Sequence, residues 1–474
     1  MIDFSDLGCA EAPLSLFEEF TKIPRGSGNT SLIAEYLVNF AKERELFYYR
    51  DSSDNVVIKK PATCGYGSRP TVIIQGHTDI VCEKSAESDI DMEKEGPRIF
   101  RDGDLLRADG STLGADDGVA IAYALAILDS KDIPHPEIEA VFTSDEEIGL
   151  IGASALDCST LGGKVMINID SDEEGVFTVG CAGGVRIDYS LPVKGGEPSG
   201  RCYRLSVSGL LGGHSGIEIG NGRANAIKLL GRALEALPIH QVTDISGGNA
   251  DNAIPRDAEA RFTAEIITEE NLEALEEIIA PIRESEPEAK IELCECEPSG
   301  ACVDSESTEK ILSLIREIPT GVIAMSKDIE GLVETSLNMG IIRLSGEGLS
   351  LTVSVRSSEN SEKAALRDRI TAIGEALGAS VTPRGDYPGW AYRKDSPLRD
   401  TAVEVYREKY GKEPKVITIH AGLECGLFSD KIEGLDCISI GPDNRDIHTP
   451  AECLSLTSFR RVYEFLLDVL KKYK

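Results

Sequence analysis

The chain has 474 residues, more than one ordinary core holds, so two domains are expected. Its formal net charge of −32 argues against a nucleic-acid binder, whose footprint is basic, and against attachment to anionic membranes. The twelve cysteines are scattered, and the one close group, Cys294, Cys296 and Cys302, has neither zinc-ribbon nor CxxC spacing. The acidic start, Met1 to Asp6, lacks an apolar segment, which predicts no secretory signal, and no stretch reaches membrane-spanning length. Unpaired thiols without an export signal predict a cytoplasmic protein.

Residues 32–45 carry apolar side chains at helical spacing, and 55–58 read as a strand. The β-branched run 71–75 predicts a buried strand, broken by Gly76 just before His77. An Ala-rich helix is expected over 117–128, with strands at 137–143 and 165–169. Strands alternating with helices predict an α/β domain with a mostly parallel central sheet and helices on both faces. From about Gly183 the texture changes to two-residue alternation at 185–191 and 201–207, with a further strand at 257–262. Helices are expected at 221–237, 269–283, 307–316 and 361–377, the order recurring faintly as two α+β halves. Residues 383–390, with two prolines and two glycines, read as a return linker. Beyond it come a helix at 398–410, strands at 415–419 and 437–440, and a terminal helix from Ser455. The expected organisation is a discontinuous catalytic domain, 1–183 and 386–474, with an inserted α+β lid over 184–385.

Four motifs in the α/β segments lie, for the most part, near the carboxyl end of an apolar strand-like run or in the loop after one. They are His77-Thr78-Asp79, Asp116-Asp117, Glu146-Glu147 and Asp170, joined much later by His448. In an open α/β sheet the carboxyl ends of the strands form the site edge. A two-metal hydrolase needs a bridging carboxylate, imidazoles, further carboxylates and one group left free as base. Asp116 opens a helix after a Gly-containing turn and is the natural bridge. Of the adjacent Glu146 and Glu147, one can bind metal while the other takes a proton. Asp79 can orient the His77 ring through its second nitrogen. Each residue alone also has a plain structural reading: a buried hydrogen-bonded histidine, an N-cap aspartate, solvated loop glutamates. Their joint occurrence in this order points to metal chemistry.

The order His77-x-Asp79, Asp116, Glu146-Glu147, Asp170, His448 resembles the dinuclear-zinc exopeptidases, and within them the aminoacyl-histidine dipeptidases. Supporting strings are Ile23-Pro24-Arg25-Gly26-Ser27, Gly212-Gly213-His214-Ser215-Gly216, Asn252-Ala253-Ile254-Pro255-Arg256 and His420-Ala421-Gly422-Leu423-Glu424. The resemblance covers almost the whole chain. It implies that His77 and Asp170 bind one metal, Glu147 and His448 the other, and that Asp116 bridges them. It implies Glu146 as general base, Asp79 as the histidine's partner, and a cis peptide after Asp116. The ions implied are two divalent metals, zinc by default, with cobalt or manganese compatible with the same ligands.

His214, in its glycine-rich loop, is implied as a donor to the oxyanion of the tetrahedral intermediate. Arg356 is implied as the group that binds the substrate's carboxylate. His420, Glu424 and Asn252 are further candidates for holding substrate. His135, between prolines, reads as an exposed turn residue, and His240 as a loop or interface residue. The implied substrate is a short peptide, Xaa-His and other dipeptides, with no nucleic-acid or membrane partner. Monomer and homodimer both fit. The rival readings are a related amidohydrolase (a tripeptidase or an N-acyl amino acid deacylase) and a catalytically silent peptide binder.

Overall fold

A computed structural model describes residues 2–297, 302–327, 329 and 331–474. The chain divides into two compact units. The first comprises the residues up to Gly180 with Tyr392–Thr418 and Leu423–Lys474; the second comprises Cys181–Ala391 with Ile419–Gly422.

The first unit is built on an eight-stranded sheet. Its strands are β1 (Phe47–Arg50), β2 (Val56–Lys60), β3 (Val72–His77), β4 (Ile138–Thr143), β5 (Val165–Asn168), β6 (Val176–Cys181), β7 (Lys415–Ile419) and β8 (Asp436–Ser439). The order is β1-β2-β4-β3-β5-β8-β6-β7. The central four, β4, β3, β5 and β8, run parallel. β3, β4 and β5 are buried along their whole length, which is why residues 72–74, 140–142 and 165–167 within them read as apolar runs rather than alternating ones. The register aligns their carboxyl ends: His77 pairs with Thr143, Gln75 with Asn168, and Asn168 with Ser439.

The helix Ala115–Asp129 packs on β3 and on the helix Glu11–Phe20. Small alanines let it lie close, and nearly every residue in it is buried. The approach is tight at Gly76, where any Cβ would collide with Ala120 and the Asp117 carboxylate. The Asp116-Asp117 peptide bond is cis. The core of this unit also takes in the terminal helix Leu456–Lys472, whose Phe459, Val462, Phe465 and Leu466 are buried.

The second unit is an antiparallel nine-stranded sheet with its own core. Two groups of strands meet where Ile239–Gly247 pairs with Val333–Ser345 through Ser246 with Arg343 and Gly247 with Ile342. The helices Ala226–Glu235, Glu269–Arg283, Ser305–Glu317 and Asn360–Ala376 pack on this sheet. Side-chain caps start three of them: Asn225, Thr268 and Asp304 each accept from backbone amides in the first turn.

The segment expected as a return linker is largely a strand. Ser380–Tyr387 pairs with Gly183–Leu191, and Pro383 stands opposite Ile187. It ends the strand order of the sheet, where a proline without N–H is tolerated, and a register shift follows between Arg384 and Tyr387. Among the described residues no helix is long and apolar enough to cross a membrane.

Candidate metal centre

His77 is the last residue of β3 and is buried. Asp116 follows Gly114, which takes a left-handed conformation (φ 73°) at the start of its helix. Glu146 and Glu147 lie just past β4, in a turn entered through Asp145 at φ 51°. Asp170 lies two residues past β5, and His448 sits in the loop after β8 at φ 62°. Gly441 lets two of these loops meet, because a Cβ there would collide with the Ser171 carbonyl.

The structure brings all five expected ligands together within the first unit. His77 Nε2 lies 2.9 Å from Asp116 Oδ1 and 3.6 Å from Asp170 Oδ1. His448 Nε2 lies 3.1 Å from Asp116 Oδ2 and 3.0 Å from Glu147 Oε1. Each Asp116 oxygen therefore faces a different imidazole. Two donor groups result, His77 with Asp116 and Asp170, and Asp116 with Glu147 and His448; in each, the donor atoms lie within 4.8 Å of one another. Donors around one tetrahedral zinc, with bonds of about 2.1 Å, stand about 3.4 Å apart. Nitrogen and carboxylate oxygen at these spacings fit borderline divalent ions. Glu146 forms a third such group with His77 and Glu147 and is absent from the two groups that share Asp116.

Asp79 does more than orient His77. The ring Nδ1 is 3.0 Å from the Asp79 carbonyl oxygen and 3.5 Å from Oδ1. The carboxylate's shorter bonds hold the next loop: it accepts from Glu146 N–H at 2.9 Å, Glu147 N–H at 3.3 Å and Ser27 Oγ at 2.8 Å. Asp117 accepts from the amides of His77 and Ala120, both at 3.2 Å, joining strand to helix.

The electrostatics are those of crowded carboxylates balanced by imidazolium. Hydrogen bonds to Asp116 and Glu147 push His448 up to about 10. Burial opposes charge on His77, but hydrogen bonds to Asp116, Asp170 and Asp79 hold its pKa well above the usual histidine range. Burial opposes the Asp116 charge too, yet the two imidazoles bring its pKa well below the usual carboxylate range. Burial and neighbouring carboxylates raise Asp170 to about 6 and Asp172 to about 8. Burial, with Asp170, Glu424 and Glu147 adding to it, pushes Glu146 well above the usual range.

A pH dependence follows. His448, raised in the folded state from 6.5, contributes stability that is fully present below about 6.5 and is lost as pH rises through about 10. Asp170 and Asp172, also raised, favour the folded state less as pH climbs through about 6 and about 8. Through these groups, metal-stripped protein should therefore lose thermal stability from about pH 4 to about pH 10. Divalent metal should offset that loss and, near pH 7, release protons on binding, because ligands must be deprotonated. Calorimetry in buffers of different ionisation enthalpy counts those protons; uptake without proton release would contradict the ligand assignment.

The other candidates fall in two places. Glu424 is buried in the first unit, accepting from Gln75 Nε2 at 2.5 Å and Thr143 Oγ1 at 2.7 Å. Burial raises it to about 7. His420 groups instead with the second unit, through residues Ile419–Gly422, although the sequence suggested one domain for both. There its Nε2 is 2.7 Å from Ser336 Oγ, and burial with the Arg356 charge lowers its pKa to about 4. His214 ends the short strand Gly213–His214, paired with Ala253–Ile254. Its Nδ1 accepts from Gly216 N–H at 3.2 Å, so a neutral ring carries its proton on Nε2. Burial and Arg356 lower its pKa. Arg356 donates to the Tyr387 hydroxyl at 3.2 Å, while its Nε is buried without a partner among the described residues. Gly216 lies between the His214 ring and the His420 carbonyl. The second unit thus groups His214, Arg356 and His420. Asn252 is exposed, and its carbonyl accepts from Ser215 N–H at 2.8 Å.

His135 is fully buried rather than exposed, its Nδ1 2.6 Å from the Pro136 carbonyl oxygen. The residues that sequence reasoning passed over are Arg25 and Glu452, buried charges that touch the loops of the centre. Arg25 belongs to the segment 23–27 and Glu452 lies four residues after His448, but neither has ligand spacing.

A model described as Peptidase family M20/M25/M40 matches residues 73–472. The chain is 35% identical over 474 residues to the cytosol non-specific dipeptidase of Escherichia coli (strain K12), covering 96% of each. The crystal structure of aminoacylhistidine dipeptidase from Vibrio alginolyticus matches with a TM-score of 0.93 at 32% identity, over 98% of this chain and 97% of that one. Human carnosine dipeptidase 1, at 12% identity and a TM-score of 0.52 over 99% and 98%, shares the fold. A family match across most of the length, and a curated relative as long as the chain itself, place this protein in peptidase family M20/M25/M40.

Proposed function

We propose that the protein is a two-metal dipeptidase that hydrolyses the peptide bond of Xaa-His and other dipeptides. The observation that carries this reading is Asp116, with one oxygen against each imidazole, beside a carboxylate outside both ligand sets. The names of the two full-length relatives, both dipeptidases, support the substrate class. His77 and Asp170 would hold one divalent ion, Glu147 and His448 the other, and Asp116 both; zinc suits this donor set, with cobalt or manganese as substitutes. A cytoplasmic location agrees with twelve free cysteines and with the cytosolic description of the bacterial relative.

When bound, divalent ions supply electrophilic polarisation of the scissile carbonyl and acidify a water. Glu146 takes the proton of the attacking water on a carboxylate oxygen. Its burial raises its proton affinity, which brings a carboxylate closer to the operating pH of a general base. The same oxygen then returns the proton to the leaving amine. Asp79 holds the Glu146 backbone in place during both transfers. His214, neutral and protonated on Nε2, carries the N–H that its proposed role as oxyanion donor needs. Arg356 holds the substrate's terminal carboxylate.

Arg356→Ala is expected to raise KM for dipeptides about 10- to 100-fold, the worth of a charge-assisted hydrogen bond of about 1.5–3 kcal/mol. Carboxyl-amidated analogues should be nearly unaffected. Equal losses for both would remove the carboxylate role.

The reading is tested with metal-stripped protein and a panel containing β-Ala-His, several Xaa-His peptides, Cys-Gly, a tripeptide and an N-acetyl amino acid. Cleavage of dipeptides alone, restored by added zinc, cobalt or manganese, is the expected result. Cleavage of only the tripeptide or the N-acetyl amino acid would transfer the assignment to those substrates. No cleavage with two metals tightly bound would identify a silent binder.

A further inference from the structure

Two buried charges outside the ligand set each join loops that carry it. The Arg25 guanidinium is 1% exposed. Its Nη1 donates to the carbonyl of Thr78 at 2.8 Å and its Nη2 to the carbonyl of Gly114 at 2.5 Å. Thr78 follows His77 directly, and Gly114 precedes Asp116 by two residues. The same segment reaches the remaining loop, where Gly28 N–H donates to Asp145 Oδ1 at 2.6 Å.

Glu452 grips the Asp116 segment from the other side. Its Oε2 accepts from the amides of Leu113 at 2.7 Å and Gly114 at 2.9 Å. Its Oε1 accepts from the amides of Ala115 at 2.9 Å and Asp116 at 3.4 Å, and from Asn444 Nδ2 at 3.3 Å. Glu452 is 2% exposed and stands four residues after His448. Carbonyl and amide of the same residue, Gly114, are therefore held by opposite charges that arrive from different loops. Burying a charge is costly, and Arg25 Nε is buried without a partner among the described residues, so space filling does not account for these residues. A carboxylate that accepts several amides at the start of a helix is a strong, directional contact.

We infer that Arg25 and Glu452 are positioning residues that set Asp116 between the two imidazoles. Arg25 fixes it against the His77 loop, and Glu452 against the His448 loop. The inference rests on the two-metal reading above. Both ion sites share Asp116, so loosening either grip weakens both.

The test is titration of cobalt(II) into metal-stripped wild-type, Glu452→Gln and Arg25→Lys proteins, read by calorimetry and visible absorbance, with circular dichroism to verify folding. Gln keeps the shape but turns an NH2 group toward amide donors. Lys keeps the charge but lacks the planar fork that reaches two carbonyls. Folded variants should bind both equivalents about 10- to 100-fold more weakly, the usual cost of losing an outer partner of a ligand. Where Glu452→Gln does not fold, Glu452→Asp, shorter by one methylene, is read in its place. Wild-type affinity in folded variants, with or without a lower melting temperature, overturns the inference alone. A wild-type protein that binds no cobalt overturns the two-metal reading and the inference with it.

Discussion

Glu146→Gln is expected to cut turnover about 10²- to 10⁴-fold while two metal equivalents stay bound. Glutamine matches glutamate in shape, and its backbone is still held by Asp79 Oδ1 through the amide at 2.9 Å. Neither ligand set loses a member, because the two donor groups that share Asp116 do not contain Glu146. The amide cannot accept the water proton or deliver it to the leaving amine. General acid–base transfer contributes about 10²- to 10⁴-fold, so kcat should fall by that factor. KM should change little, because binding contacts remain. Steady-state kinetics with metal analysis of the same sample reads both quantities. Retained turnover with metals bound would remove Glu146 as the base.

Asp116→Asn should have the opposite signature, losing metal first and activity as a consequence. An amide offers one oxygen, so one of the two imidazole Nε2 atoms, now 2.9 and 3.1 Å from carboxylate oxygens, would face an NH2 group. The substitution also removes a negative charge from between His77 and His448. Removing one partner of a buried charged pair costs about 3–5 kcal/mol, or roughly 10²- to 10⁴-fold in metal affinity. Without the metal, His448 loses the Asp116 charge but keeps its Glu147 partner, so its elevated pKa should drop part of the way. Cobalt titration and histidine NMR check the two halves of this expectation. Two tightly bound equivalents in the folded variant would show that Asp116 is not shared.

Much of the first unit was legible because its central strands are buried on both sides. Val72, Ile73 and Ile74 form an unbroken apolar run, and the histidine beyond it marks where the strand meets the site. The Ala-rich stretch announced a helix close to the sheet, and its first turn carries the shared aspartate. The helix over Glu269–Arg283 was readable to the residue, since Thr268 caps it and Arg283 lies in its last turn.

What escaped the sequence had no local pattern. Ser380–Tyr387 is a strand with Pro383 and Gly385 inside it, and composition there imitates a linker. Only pairing with Gly183–Leu191 reveals it. His135 between two prolines looked exposed, yet tertiary packing buries it. Arg25 and Glu452 bind backbone rather than side chains, so nothing in the spacing of residue types signals their partners. His420 and Glu424 are four residues apart but belong to different units, a division set by contacts distant in the chain.

In the proposed reaction, dipeptide hydrolysis needs two ions around one shared aspartate. Its most direct test is turnover of a dipeptide by metal-stripped protein as zinc is added in measured equivalents. Turnover should be negligible without metal and rise to a plateau at two equivalents per chain. A plateau at one equivalent, or turnover that ignores metal altogether, would contradict it.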